Sequence, residues 1–275
     1  MNVAAVSGPI SLVRPGNLLA LLLAVGAGAR LAGGHPLSTI ALVPILAAAF
    51  GYARNDAIDV AADALNRPGR SVPAGRASVA LAHAVAWTAL ALAWAVLALA
   101  GWTPSRAGLL ALASGALYAY SPWGKTRGAL GAGTIALLAG LAVVWGGTMG
   151  PDPRRTAAAA LLAALVTFAR ECAKDLEDEA GDRAAGKGTW VVSSGRATVV
   201  RALRVATWAA FAVLPLPWLL GDASVIYAAA AGLTAWPVLA WVATRPIDGA
   251  ASAGVASRAL KGALVLGIAS LWLGA

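Results

Sequence analysis

Residues 55–68 read NDAIDVAADALNRP and follow directly on a long apolar segment. On an α-helix, their i, i+3, i+7 spacing puts three carboxylates and one amide on a single face. We call this set the first acidic stripe: Asn55, Asp56, Asp59 and Asp63. The same spacing returns downstream in the second acidic stripe: Glu171, Asp175, Asp178 and Asp182. Nine of the 12 acidic residues lie within 55–68 and 171–182, so this concentration of charge calls for a functional explanation.

The rest of the chain is strongly apolar. Of its 275 residues, 60% are hydrophobic and 12% are charged, and the mean hydropathy is +0.75. These values lie outside the range of ordinary soluble domains. The apolar runs approach or exceed the roughly 20 residues that a helix needs to cross a bilayer. They lack the period-2 alternation of barrel strands, which predicts an all-α, polytopic membrane protein.

Nine apolar segments are separated by Gly- and Pro-containing or polar connections, and they predict nine transmembrane helices in a single domain over residues 1–275. The two longest connections follow the second and sixth segments, and each begins at one of the acidic stripes. Long polar connections on one membrane face are a common place for chemistry. The predicted segments are about 16–34, 37–54, 78–101, 105–122, 129–149, 156–174, 197–219, 224–243 and 255–273.

The distribution of basic residues predicts the orientation. With nine spans, 17 of the 21 Lys and Arg residues lie on the side that holds the N-terminus and both acidic stripes. The positive-inside rule makes this side cytoplasmic, in the cell membrane. It also explains the formal net charge of +9 without a nucleic-acid partner.

Two groups of carboxylates on facing helices would repel each other unless a cation lay between them. Hard oxygen ligands suit Mg²⁺, which commonly bridges to substrate phosphates. The two histidines, His35 and His83, lie outside both stripes, and Cys172 is the single cysteine, so a zinc site is disfavoured. The stripes therefore predict a magnesium site.

Basic residues are concentrated on the same side as the acids. Arg67 and Arg70 follow the first stripe, Lys174 lies within the second, and Lys125 ends the stretch YAYSPWGK (118–125). The combination suggests a metal–diphosphate site in which acids hold Mg²⁺ and basic side chains neutralise phosphate oxygens. Alternatively, these basic residues could only determine the membrane topology. For Arg70 and Lys125 we favour a functional role.

These features resemble the UbiA superfamily of intramembrane prenyltransferases over the whole chain. The resemblance is carried by the motifs N-D-x-x-D-x-x-x-D and D-x-x-D-x-x-x-D, by Arg14-Pro15 with Asn17, by NRPGRSVPAG (66–75) and by the 118–125 stretch. It implies a ring of nine helices around a central cavity. It also implies Mg²⁺-dependent transfer of an isoprenoid chain from a diphosphate to an acceptor.

The resemblance implies roles for individual residues. Two Mg²⁺ ions would be held by Asn55, Asp59, Asp63, Asp175, Asp178 and Asp182. The catalytic carboxylates would be Asp56, Asp59, Asp175 and Glu171, of which Asp175 or Glu171 would take the proton of the acceptor. Substrate would be bound by Arg14, Asn17, Arg67, Arg70, Tyr118, Ser121, Lys125 and Lys174.

The acceptor is open to more than one interpretation. Residues 170–186 look most like the archaeal family members that transfer geranylgeranyl to a glyceryl phosphate ether. An aromatic acceptor, such as 4-hydroxybenzoate or a quinone precursor, is the alternative. A secondary transporter would place its acids near mid-span, whereas these lie at span ends and continue into loops. Alcohol phosphatidyl transfer is disfavoured because its D-G-x-x-A-R signature is absent.

Overall fold

Helices form all the regular secondary structure in residues 10–124 and 127–275, which the computed structural model describes. From residue 15 onward they are α1 Pro15–Leu31, α2 Leu42–Ile58, α3 Val60–Asn66, α4 Val79–Ala100, α5 Pro104–Ala119, α6 Ala129–Gly147, α7 Ala157–Ala184, α8 Trp190–Ser194, α9 Arg196–Val213, α10 Leu216–Leu219, α11 Val225–Thr244 and α12 Ala250–Gly274. A π-helical turn, Tyr120–Gly124, follows α5. The all-α prediction is confirmed.

Each predicted apolar segment corresponds to one long helix in the described part of the chain. Six helical stretches there are long and apolar enough to cross a membrane, and they involve α4, α6, α7, α9, α11 and α12. These helices indicate a multi-pass membrane protein. The helices α1, α2 and α5 have 17, 17 and 16 residues, fewer than the roughly 20 that span the hydrocarbon core. The number of nine transmembrane helices therefore stays a prediction.

Helix α7 lies at the centre of the packing and contacts α6, α9, α12 and the short helices α3 and α8. Its first half is rich in alanine, which lets neighbouring backbones approach closely. The closest approach is between α1 and α6. A methyl group on Gly146 would lie 2.0 Å from the Val25 carbonyl oxygen, and one on Gly28 would lie 2.1 Å from the Val143 carbonyl oxygen. Only glycine fits at these two positions.

The connections that follow alternate helices meet at the end of the molecule opposite the stripes. There the Arg30 guanidinium donates to the Ala275 carbonyl oxygen at 3.0 Å, and Arg106 donates to that of Thr148 at 2.5 Å. Arg155 donates to the Asp222 carbonyl oxygen at 2.8 Å. These cations therefore satisfy backbone carbonyls at helix ends and connections, which otherwise lack partners.

Both acidic stripes differ in secondary structure from the sequence expectation. The first stripe does not lie on one continuous helix, because α2 ends at Ile58 and α3 begins at Val60, with non-helical Asp59 between them. The amide of Asp59 still donates to Asn55 and that of Asp63 to Asp59, so the two helices continue nearly in line. The second stripe does not enter a loop, because α7 extends to Ala184 and carries all of it.

Candidate active site

A polar cavity of about 590 Å³ contains both acidic stripes in its wall. We call it the polar cavity. The helices α2, α3 and α7 bring the stripes together although more than 100 residues separate them in sequence. The predicted basic and amide residues in its wall are Arg14, Asn17, Arg67, Arg70 and Lys174.

The carboxylates of the first stripe are almost fully buried, Asp56 and Asp59 at 3% exposure and Asp63 at 6%. A buried charge is tolerated only when it is paired. Arg14 and Arg70 both pair with Asp56, and Arg70 also pairs with Asp63. Asp56 and Asp63 are therefore held by two guanidinium groups that also face the cavity.

Two predicted substrate-binding residues, Ser121 and Tyr118, do not line the polar cavity. The Ser121 hydroxyl donates to the Asn55 side-chain oxygen at 3.0 Å, so it orients that amide from behind. The Tyr118 ring lies under the Arg54 guanidinium, 4.1 Å from its centroid, while Tyr120 lines the cavity. Lys125, predicted to bind phosphate, lies outside the described residues.

Three contacts join the two stripes across the polar cavity. Arg67 on the first side donates to both Asp178 oxygens, at 2.6 and 2.9 Å. The Lys187 ammonium donates to Asp59 at 2.5 Å. The facing stripes are thus bridged by positive charge, which offsets the repulsion between their carboxylates.

The third contact depends on a glycine. The Asn66 amide donates to Asp182 at 3.1 Å. A methyl group on Gly181 would lie 1.7 Å from the Asn66 side-chain oxygen. A side chain at position 181 would therefore displace the Asn66 amide from its present place.

The start of the second stripe is asymmetric in its pairing. Glu171 accepts from Arg170 at 2.8 Å and from Lys174 at 2.9 Å. Asp175, one turn further along α7, lines the cavity with no hydrogen bond or ion pair to the described residues. The two candidate proton acceptors therefore differ in environment.

The donor set fits a hard cation better than a soft one. The acids and amides of both stripes offer only oxygen ligands, the type that Mg²⁺ prefers. Among residues 10–124 and 127–275, no three His, Cys, Asp or Glu side chains stand close enough together to hold a metal ion. Their carboxylates are instead spaced by Arg67, Arg70 and Lys187. For a divalent cation to bind between the stripes, the basic side chains of Arg67, Arg70 and Lys187 would have to move away from the carboxylates.

An apolar cavity of about 240 Å³ adjoins the polar cavity. The two share wall residues on six helices: Asn17, Tyr52, Leu117, Ile135, Arg170 and Lys261. The apolar cavity contains Trp145, which is ten residues beyond Ile135 on α6, or about 15 Å along the helix axis. Its indole N–H donates to the Ile40 carbonyl oxygen at 3.1 Å, which fixes the ring. A charged cavity and an apolar cavity therefore lie next to each other and share part of their wall.

Several residues of these cavities were not assigned a role by the sequence interpretation. Asn66 and Lys187 flank the two stripes, so their position next to the motifs was the available signal. Tyr52, Ser257 and Lys261 carried no comparable signal, because none of them belongs to either acidic stripe.

A comparison with protein-family models matches residues 17–260 to the UbiA prenyltransferase family. Two curated relatives are named digeranylgeranylglyceryl phosphate synthase. The protein from Halobacterium salinarum is 35% identical over 219 residues, covering 78% of this chain and 79% of the relative. The protein from Methanothermobacter thermautotrophicus is 32% identical over 223 residues, covering 79% and 78%.

Solved structures share the fold. A structure concerning digeranylgeranylglyceryl phosphate synthase in membranes superposes with a TM-score of 0.73 at 20% identity, covering 97% of both chains. A UbiA homologue from Archaeoglobus fulgidus bound to GPP and Mg²⁺ has a TM-score of 0.69 at 19% identity, covering 96% of this chain and 99% of that one. At these identities the likeness establishes the fold.

Proposed function

Because this chain belongs to the UbiA prenyltransferase family, we propose that it transfers a geranylgeranyl chain from its diphosphate to geranylgeranylglyceryl phosphate, with two Mg²⁺ ions. The chain is a prenyltransferase. The observation that carries the proposal is the meeting of both acidic stripes in one polar cavity that adjoins an apolar cavity. A diphosphate with an isoprenoid tail needs one chamber of each kind.

The curated relatives support the acceptor, because they are named for digeranylgeranylglyceryl phosphate. The same names support ether-lipid synthesis as the setting. An aromatic acceptor remains the alternative for the second substrate. Family membership disfavours the transporter interpretation.

The proposed metal ligands are Asn55, Asp59, Asp63, Asp175, Asp178 and Asp182. The GPP and Mg²⁺ of the Archaeoglobus fulgidus homologue support a divalent cation here. When bound, Mg²⁺ supplies charge neutralisation for the diphosphate. Arg67 and Lys187, which bridge the stripes, would turn from the carboxylates to phosphate oxygens as the donor binds.

The basic residues of the polar cavity would stabilise the leaving group. As the bond between the allylic carbon and oxygen breaks, negative charge develops on the diphosphate. Arg14 and Arg70 face the cavity, and fixed positive groups in such a site favour this charge most strongly where water is excluded. The apolar wall would protect the allylic cation from water.

A carboxylate would then take the proton of the acceptor hydroxyl as oxygen attacks the allylic carbon. Asp175 and Glu171 are the candidates for this role. Glu171 pairs with Arg170 and Lys174, and Asp175 would also be a ligand of Mg²⁺, so each would act as a base beside positive charge.

The test uses purified protein with Mg²⁺ and geranylgeranyl diphosphate. Geranylgeranylglyceryl phosphate and 4-hydroxybenzoate are offered separately, and diphosphate release and lipid product are followed by mass. We expect product with the glyceryl phosphate only. Product with the aromatic acid only would overturn the proposed acceptor. Absence of diphosphate release with either acceptor would overturn the proposed function.

A further inference from the structure

Lys261 is an ionisable residue in the middle of an apolar helix. It lies in α12, Ala250–Gly274, and the residues after it, 262–274, are apolar except for Ser270. They span about 20 Å, less than the roughly 30 Å of hydrocarbon that a membrane helix crosses. Charge at such a depth is expensive and commonly marks a functional site facing the protein interior.

Lys261 is an exposed residue whose side chain lines both cavities. Its ammonium donates to the Asn17 side-chain oxygen on α1 at 3.1 Å. No carboxylate among the described residues pairs with it, so its charge is left for a ligand.

Two further donors lie in the same part of the wall. Ser257, one turn before Lys261 and on the same face of α12, is 6% exposed and makes no hydrogen bond to the described residues. The Nε of Arg170 is buried without a hydrogen-bond partner there. One guanidinium, one ammonium and one hydroxyl thus lie where the wall changes from polar to apolar.

The head group of an amphiphilic ligand would lie at this border between the polar and the apolar wall. On α12, Ser257 and Lys261 line the polar side, and Leu264 and Ile268 line the apolar side. A phosphate monoester carries nearly two negative charges and three strong acceptor oxygens. Arg and Lys are the usual partners of such a group.

We propose that Lys261, Arg170 and Ser257 bind the phosphate group of the lipid acceptor, an inference that rests on the proposed function. This site is separate from the acidic stripes, which would hold the donor diphosphate. The phosphate would hold the glyceryl hydroxyl near the border of the two cavities, where the donor chain passes.

The test compares Lys261→Met with the wild type, using geranylgeranyl diphosphate, Mg²⁺ and two acceptors. One acceptor is geranylgeranylglyceryl phosphate and the other is the same glyceryl ether without its phosphate. We expect KM for the phosphorylated acceptor to rise about 10- to 100-fold, the effect of losing a hydrogen bond to a charged group. KM for the donor and for the unphosphorylated acceptor should not change.

Arg258→Met is the matched control, because Arg258 is exposed on the same helix, as Lys261 is, but lines neither cavity. Ser257→Ala removes only a hydroxyl and tests the site if Lys261→Met does not fold. It should raise KM for the phosphorylated acceptor about 2- to 10-fold.

Two results would overturn the inference and are distinguishable from failure of the proposed function. If the wild type transfers to the glyceryl phosphate but Lys261→Met raises KM for the donor instead, Lys261 serves the diphosphate. If KM rises equally for both acceptors in Lys261→Met, Lys261 does not recognise the phosphate group. Failure of the wild type to use the glyceryl phosphate would overturn the proposed function itself.

Discussion

At the scale of single residues, we expect Asp59 to be the least replaceable acid of the first stripe. It is 3% exposed, accepts from Lys187 across the cavity and stands at the break between α2 and α3. We expect Asp59→Asn to lower kcat at least about 100-fold. Substitution of a residue that only supports a metal ligand lowers activity by up to about 100-fold. Substitution of a proposed ligand should lower it at least as much.

The matched control for Asp59→Asn is Glu179→Gln. Glu179 lies on α7 among the second stripe but pairs with Arg183 and Arg196 outside the polar cavity. It should keep wild-type turnover. Steady-state kinetics with purified, monodisperse protein separates the two, and full activity of Asp59→Asn would contradict the proposed site.

The contact between Asn66 and Asp182 gives a second prediction at this scale. In Gly181→Ala the new methyl group would occupy the place of the Asn66 amide, so Asp182 loses its hydrogen bond from Asn66. We expect activity to fall about tenfold, the effect of losing a hydrogen bond to a charged group. Gly188→Ala, where a methyl group meets nothing within 4 Å, should match the wild type. Equal rates for both variants would show that the contact is unimportant.

At the scale of helices, the α1–α6 contact is predicted to limit stability. In Gly146→Ala the methyl group would meet the Val25 carbonyl oxygen at 2.0 Å, and the helices must separate. Overpacking of this kind costs about 1–3 kcal/mol. The control is Gly133→Ala on the same helix, where nothing lies within 4 Å. Thermal unfolding in detergent should show a lower Tm for Gly146→Ala only, and an unchanged Tm would mean that the helices are not in contact.

Helix α6 also sets the depth of the apolar cavity through Trp145. Its ring is 4% exposed and is fixed by the Ile40 carbonyl. We expect Trp145→Ala to raise the preference for a donor one isoprene unit longer than geranylgeranyl at least about tenfold in kcat/KM. Apolar pockets discriminate by this much for even one methylene group.

The control for this chain-length prediction is Trp102→Ala, since Trp102 is exposed before α5 and lines neither cavity. Competition between the two donors, read by product mass, gives the ratio directly. The same ratio in Trp145→Ala and the wild type would place the end of the donor elsewhere.

At the scale of the whole molecule, the predicted orientation can be tested by labelling. Cys172 is the single cysteine and is 0% exposed, so it should not react in the folded protein. Ser105→Cys should react with a membrane-impermeant maleimide on intact cells. Gly69→Cys should react only after permeabilisation, because 17 of 21 basic residues predict that its side is cytoplasmic. The reverse pattern would invert the topology.

Local features of the sequence determined the helices, the family and most of the polar cavity. The spacing of Asp56 and Asp63, or of Asp175 and Asp182, depends only on helical periodicity, and hydropathy alone located the apolar segments. These are properties of neighbouring residues. They predicted the members of the two stripes, and the cavity contains all of them.

Only the tertiary structure decided which charges meet. Arg67 pairs with Asp178 across 111 positions of sequence, and Lys187 pairs with Asp59 across 128 positions. The sequence also did not predict the break in the helix at Asp59 or the position of Lys261 in the walls of both cavities. Long side chains on one membrane face have many partners of opposite charge within reach, and the packing of α2, α3, α7 and α12 selects among them.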